Sequence, residues 1–466
     1  MPLVLGVDSS TQSTKVEVRD ADTGALIAEG RAPHPPTSPP RSEQHPDVWW
    51  DALLGAFAGA GGGTVDALAV GAQQHGLVAL DASGAVLRPA KLWNDTESAS
   101  DAQWLLSQAD ATVWADACGS VPVAAFTVTK LSWLHRSEPE AWERLARVCL
   151  PHDYLTLRLT GEFVTDRGDA SGTGYYSAAE GRYRDDLLAI VERDVDWSRR
   201  LPRVLAPTEA AGRAERFRNA VVAPGTGDNM AAALGVGARP GDVVVSLGTS
   251  GTVYAVSDTP THDASGSVAG FADASGRYLP LVCTLNATKV TDAIARVLGV
   301  DHPTLDDLAL AAAPGAGGVV LVPYFDGERT PNRPDARGML AGLRPDVTRE
   351  QIARAAVEGV ICGLLDGLDA LLACGIEADG RCILIGGGAR SRAAARVLAD
   401  LSGREVVTPD AAEHVAMGAC VQAAAVLGGH PIDAVLDQWR LGRGTVIEPE
   451  PIDRDAVRDR YRAARG

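Results

Sequence analysis

The stretch 221–256, VVAPGTGDNMAAALGVGARPGDVVVSLGTSGTVYAV, constrains this chain more than any other. It places a carboxylate at a helix start and a small-residue loop between two strands within one short span. Gly225-Thr226-Gly227 is a turn, and Asp228-Asn229 open a helical run over 230–234. That puts the Asp side chain in an N-cap position, where the helix dipole favours negative charge. A Pro240-Gly241-Asp242 turn then leads to an apolar strand over 243–247, the loop Gly248-Thr249-Ser250-Gly251, and a second strand over 252–256. A loop of Gly, Thr and Ser brings backbone N–H and hydroxyl donors against phosphate oxygens, because no bulky side chain holds the anion off. Asp228 has two readings, a helix cap and a base that takes a proton from a substrate hydroxyl; the neighbouring loop favours the base.

The same plan opens the chain. A strand over 3–7 ends in Asp8, the hydroxyl-rich Ser9-Ser10-Thr11-Gln12-Ser13 follows, and an alternating strand covers 14–19, with a third over 25–28 after a Thr23-Gly24 turn. The second hairpin is likewise followed by a strand over 278–283. At 466 residues the chain is too long for one core, so the repetition predicts two domains built alike, 1–238 and 239–466, each α/β and each offering one phosphate hairpin to a shared cleft. Asp8 either satisfies turn donors or holds Mg²⁺ through water, as hard oxygen ligands do.

Other segments suggest the remaining parts of a site. The polar Gln73-Gln74-His75-Gly76 interrupts an apolar strand over 67–80, which suggests a polar contact in a pocket. Trp93 reads as core, and the following Asn94 and Asp95 as hydrogen-bonding partners for a polyol. Residues 126–135 and 139–148 read as helical, Pro151-His152-Asp153-Tyr154 as the start of another helix, and 165–176 (TDRGDASGTGYY) as a polar loop outside the core. A buried strand over 382–385 runs into Gly386-Gly387-Gly388 and a helix ending at Leu401, where a helix N-terminus and bare backbone can accept a nucleotide closely. The small-residue helix 415–427 is expected to pack near that turn, and the Arg-rich 453–465 to form a solvated helix packing back on the first domain.

Composition excludes other classes. A net charge of −17 and a pI near 5.0 argue against nucleic acid or an anionic membrane as partner. The most apolar helix, 351–373, carries Arg354, Glu358, Asp366 and Asp369, which argues against a membrane span. Seven cysteines are scattered singly without CxxC or His/Cys clusters, so they read as buried thiols of a reducing cytosol, and the N-terminus lacks the basic region of a signal peptide.

Taken in order, DSSTQSTK from Asp8, GDNMAAALG, SLGTSGTV, YFDGERTP and GGGARS resemble the FGGY carbohydrate kinases of the actin-like ATPase superfamily along almost the whole chain. The resemblance implies two ribonuclease-H-like domains, mixed sheets flanked by helices with a cleft between, and ATP with Mg²⁺ as cofactors. QQHG, LWND, FTVTKLSWL, PHDYL and TDRGDASGT are most similar to members acting on D-xylulose. They imply phosphorylation of its 5-hydroxyl, with Asp228 as base, Gln74 and His75 on the sugar, and Asp8 near the metal; Asn94, Asp95 and Asn229 are further candidates for the sugar. Thr11, Gln12, Ser13, Gly248, Thr249, Ser250 and Gly386 to Gly388 would then face the nucleotide. Gln74 stands where Met is common and Glu97 where Arg is common, which leaves another ketose or a pentitol open as substrate. An actin-like nucleotide-switched sensor or assembly protein is the reading from a different class. The expected partners are a small sugar and ATP, with a homodimer as the assembly to test.

Overall fold

The computed structural model describes residues 1–410 and 413–466, which fall into two compact units. The first comprises Met1–Gly237, Asp258–Leu279 and Glu413–Leu441; the second comprises Ala238–Ser257, Pro280–Ala412 and Gly442–Gly466. The first break lies one residue from the division expected at 238/239, and two later segments cluster with the first unit.

In the first unit β1 (Leu3–Ser9), β2 (Ser13–Asp20) and β3 (Leu26–Pro33) form an antiparallel meander. After α1 (Asp47–Gly59), β4 (Ala67–Ala72) pairs parallel to β1. Then come α2 (Pro151–Thr160), α3 (Arg167–Ser171), β5 (Gly212–Ala214), β6 (Ala220–Val222), β7 (Thr226–Gly227) and α4 (Asp228–Gly235). The sheet runs β5-β6-β4-β1-β2-β3, with β7 also pairing to β4. Alternation along β1 and β4 sends Leu5, Val7, Leu68 and Val70 into a core with Trp49 and Leu53 of α1 and Leu155 of α2. Gly6 and Gly71 point to the other face, against Ala416 and Val415 of the helix His414–Gly428. Covered on both faces, β4 has only buried residues, which is why it reads as the continuous apolar run ALAVGA.

The second unit repeats the plan. β8 (Val243–Leu247), β9 (Gly251–Ala255) and β10 (Tyr278–Thr284) are antiparallel, and the long α5 (Arg349–Ala373) follows. Beyond it β11 (Cys382–Ile385) joins β8 in parallel, α6 (Arg392–Ser402) leads to β12 (Val406–Pro409), and β13 (Gly444–Ile447) closes the order β10-β9-β8-β11-β12-β13. Strand order and sense match β3-β2-β1-β4-β6 of the first unit, so the duplicated hairpin seen in the sequence extends to the whole five-strand core.

Four expectations are corrected. Residues 165–176 are core: Thr165, Asp166, Asp169, Ser171 and Thr173 are buried, in a short strand Val164–Asp166 and in and after α3, because Asp166, Ser171 and Thr173 bond to nearby backbone and Asp169 pairs with His152. Helix Pro139–Arg144 stops early, and Arg147–Cys149 is a strand. The helix His414–Gly428 belongs to the first unit, packed on α4 and β1 through small residues. The C-terminal helix Arg454–Arg465 packs on α5 of its own unit, with Tyr461 buried and Arg458 paired to Asp366 and Asp369 at 3.2 and 2.7 Å. Among the described residues no single helix is long and apolar enough to cross a membrane.

Candidate active site

In the first unit, parallel register aligns Asp8 with Gly71 and Gly71 with Thr226, so the chain leaves β1, β4 and β7 at one sheet edge. Open α/β sheets present ligand-binding groups at the carboxyl ends of their strands. Here those ends deliver Asp8, Gln73-Gln74-His75 and Asp228. Asp228 is the first residue of α4, not its N-cap; Gly227 holds that position, which frees the carboxylate from capping. Asp228 Oδ1 accepts from the Asn229 backbone N–H at 2.8 Å and from Asn229 Nδ2 at 2.9 Å. Asn229 Nδ2 also donates to Gln74 Oε1 at 2.9 Å, linking base candidate to polar turn. Gln74 is buried, and its Nε2 has no partner among the described residues, as a side chain reserved for a ligand would be.

His75 occupies a positive φ of 65°, with Nδ1 2.7 Å from the Gly172 carbonyl and its ring against Phe126 and Phe271. Left-handed backbone at a bulky residue is sustained only where surroundings impose it, and it concentrates at functional turns. Asp8 accepts from Ser10 Oγ at 2.8 Å and stands 3.7 Å from Lys15 Nζ, which itself bonds Glu413 at 2.6 Å. Burial raises Asp8 to about 6 against the attraction of Lys15. Burial, then the charges of Asp8 and Asp169, push Asp228 up to about 7.

This shift predicts a stability effect. An acid whose folded pKa lies above its unfolded value of 3.8 costs stability as pH rises from about 4 to 7, and the full cost persists above. Asp228→Asn is therefore expected to melt at a higher temperature than the parent at pH 8, with the gain vanishing below pH 4; scanning calorimetry across that range checks it.

Thr11 Oγ1 donates to Gln73 Oε1 at 3.3 Å and accepts from Trp93 Nε1 at 2.9 Å, Gln12 is exposed, and Ser13 is buried with its hydroxyl accepting from Arg31. Trp93, expected in the core, is 41% exposed beside that loop. Asp95 is bound up within the fold. It has no exposed surface, and its oxygens accept from the Ser42 N–H at 2.8 Å and from Lys91 Nζ and the Glu97 N–H at 3.1 Å. Glu97 pairs with Lys91 and Arg41. Glu43, Asp95 and Glu97 lie close enough together to share a cation, and Lys91 is that cation. Asn94 is half-buried, and its Oδ1 has no partner among the described residues. Cys283 and Cys374 are partly exposed, whereas the other five cysteines are buried as expected.

The second unit gathers the glycine loops. Ser246 aligns with Ile385, so the loop after β8 and the turn after β11 emerge together. Thr249 and Ser250 are exposed, while the Gly248 and Thr249 carbonyls are tied to the Thr288 and Ala287 N–H groups. Gly386 lies at φ 87°, and a Cβ there would stand 2.7 Å from the Leu247 carbonyl oxygen, so only glycine lets turn and hairpin touch. Gly387 is exposed. The N-terminus of α6 is not open as expected: Asp306 accepts from Ser391 Oγ at 2.5 Å and from the Arg392 N–H at 2.8 Å. Gly386 and Gly387 keep exposed backbone. Sequence reading missed the buried His152, Asp166 and Asp169, although PHDYL and TDRGDASGT carry more ionisable side chains than a plain cap and loop need.

Two units of repeated topology, one with clustered carboxylates and amides and the other with glycine loops at strand ends, define a phosphotransferase of the sugar-kinase class. The N-terminal domain model of the FGGY family of carbohydrate kinases matches residues 3–235, and the C-terminal domain model matches 243–427. The chain belongs to the FGGY family of carbohydrate kinases. It is 48% identical to a xylulose kinase of Streptomyces coelicolor over 97% of this chain and 94% of that protein, and 48% identical to a xylulose kinase of Streptomyces rubiginosus over 98% and 94%. The crystal structure of xylulose kinase from Bifidobacterium adolescentis superposes with a TM-score of 0.89 at 43% identity, covering 100% of this chain and 99% of that one.

Proposed function

We propose that the protein is an ATP-dependent xylulose kinase that phosphorylates the 5-hydroxyl of D-xylulose. The likeness of nearly the whole chain to proteins named xylulose kinase, at 48% identity, carries this reading. Asp228 acts as the base: the O5–H bond breaks toward its carboxylate as O5 bonds to the terminal phosphorus of ATP, the bridging P–O bond breaks, and ADP leaves. A pKa of about 7 suits the role, since proton acceptance is most effective near the working pH. Gln74, His75, Asn94 and Asn229 orient the sugar; the unpartnered Gln74 Nε2 supports that assignment. Thr249, Ser250 and Gly386 to Gly388 offer backbone and hydroxyl donors to phosphate, as do Thr11 and Gln12 of the first hairpin. Mg²⁺ entering with ATP would neutralise phosphate charge. Asp8, anionic above about pH 6 and tethered on one oxygen by Ser10, fits a water-mediated hold on such a hard cation.

The position of Gln74 favours, as the second reading, a kinase for another ketopentose or a pentitol. ADP release measured with D-xylulose, D-ribulose, L-ribulose and pentitols tests the two. D-xylulose is expected to give the highest kcat/KM, by about tenfold or more; turnover with another sugar and none with D-xylulose would replace the first reading by the second.

A further inference from the structure

Packed against the strand that delivers Asp228 is a buried ion cluster that the proposed reaction does not use. His152 of α2, with no exposed surface, has Nδ1 2.7 Å from Asp169 Oδ2, and Nε2 3.3 Å from Asp153 Oδ1 and 4.0 Å from Asp166 Oδ1. Burial opposes charge on the imidazole, but Asp153, the hydrogen bond to Asp169, and the charges of Asp169 and Asp166 outweigh it and push it up to about 9. Burial also pushes the acids upward, Asp153 to about 7 and Asp166 and Asp169 above the ordinary carboxylate range, so the four groups depend on one another in a region where an unpaired charge would be costly.

The cluster reaches the candidate site through both ends of α3. At its N-terminus the Asp166 carboxylate accepts from the Gly168 and Asp169 N–H groups and from Thr226 Oγ1, each at 2.8 Å, and Thr226 stands two residues before Asp228. At its C-terminus the Gly172 carbonyl lies 2.7 Å from His75 Nδ1. A single five-residue helix thus ties together the strand carrying the base and the turn assigned to the sugar.

We propose that His152 is a positioning residue for sugar phosphorylation: by pairing Asp166 and Asp169 it clamps α3, and α3 fixes Asp228 through Thr226 and His75 through Gly172. The proposal rests on the assignment of Asp228 as base. Charged groups facing Asp228 are Asp8 from β1 and Asp169 from α3. Lys15 of β2 and Glu413 act on Asp8, and His152 and Asp166 act on Asp169; Asp153 enters through His152.

The test uses the full chain with Mg-ATP and the sugar it turns over best. Thr226→Val keeps shape and removes only the hydroxyl; it is expected to lower kcat about tenfold with the KM for ATP unchanged, and Thr226→Ser to retain parental kcat. Asp169→Asn keeps an acceptor for His152 but removes a charge that raises Asp228, so the acidic limb of the kcat/KM profile is expected to move down by about half a pH unit. His152→Gln is expected to lose more kcat than Thr226→Val, and melting temperatures show which variants are folded. Parental kcat in Thr226→Val or in a folded His152→Gln overturns the clamp while leaving the base assignment intact if Asp228→Asn is inactive, and an unmoved limb in Asp169→Asn overturns the placement of that charge beside Asp228. Full activity in Asp228→Asn removes both.

Discussion

Asp228→Asn is expected to bind ATP with the parental Kd and to phosphorylate sugar about a thousandfold more slowly. The magnitude follows from what a positioned base contributes, about 10²- to 10⁴-fold. Asn preserves the oxygen that accepts from the Asn229 N–H and from Asn229 Nδ2, so α4 and the link to Gln74 survive. Only the capacity to take a proton is lost. In the parent, activity is expected to fall as pH drops through about 7 and the proposed base becomes protonated, so the deficit of the variant should narrow in acid. Isothermal titration with ATP and a coupled rate assay on the same preparation separate binding from chemistry. A variant retaining a tenth or more of parental kcat would remove Asp228 from the reaction.

Gly418→Ala is expected to destabilise the first unit by about 3 kcal/mol or more, the upper range for overpacking a core. A Cβ at Gly418 would overlap the Ala231 carbonyl oxygen and stand 2.7 Å from the Ala231 carbon, both backbone atoms of α4. Gly235 meets His414 in the reciprocal way, so the two helices touch backbone to backbone and neither can yield by rotating a side chain. Because α4 begins with Asp228, any separation of these helices moves the proposed base. Urea denaturation followed by circular dichroism should show a lower midpoint, and kcat should fall with it; a parental midpoint would contradict the packing.

The strand-loop-strand hairpins were legible because Gly, Thr and Ser between apolar runs specify a tight polar turn locally, and the second unit follows the grammar of the first. Asp8, Gln74 and Asp228 were each conspicuous, but that one edge gathers them depends on the parallel pairing of β1, β4 and β7, a register set far along the chain. Illegible features share this dependence. Residues 165–176 look like a loop by composition and are buried because Asp166, Ser171 and Thr173 spend their polarity on neighbouring backbone. Asp95 looks available until Lys91 and Ser42 are seen to occupy it, and α6 looks open until Asp306 arrives from another helix. The Arg-rich C-terminus reads as solvated by composition, yet Asp366 and Asp369 of α5 receive Arg458.

The most direct test is the position of the phosphate in the product formed from D-xylulose and ATP, read by phosphorus–proton correlation NMR alongside ADP release. One phosphate coupled to the C5 protons, formed in step with ADP, is the predicted result. ADP released without a phosphorylated sugar, or phosphate on another carbon, would contradict it.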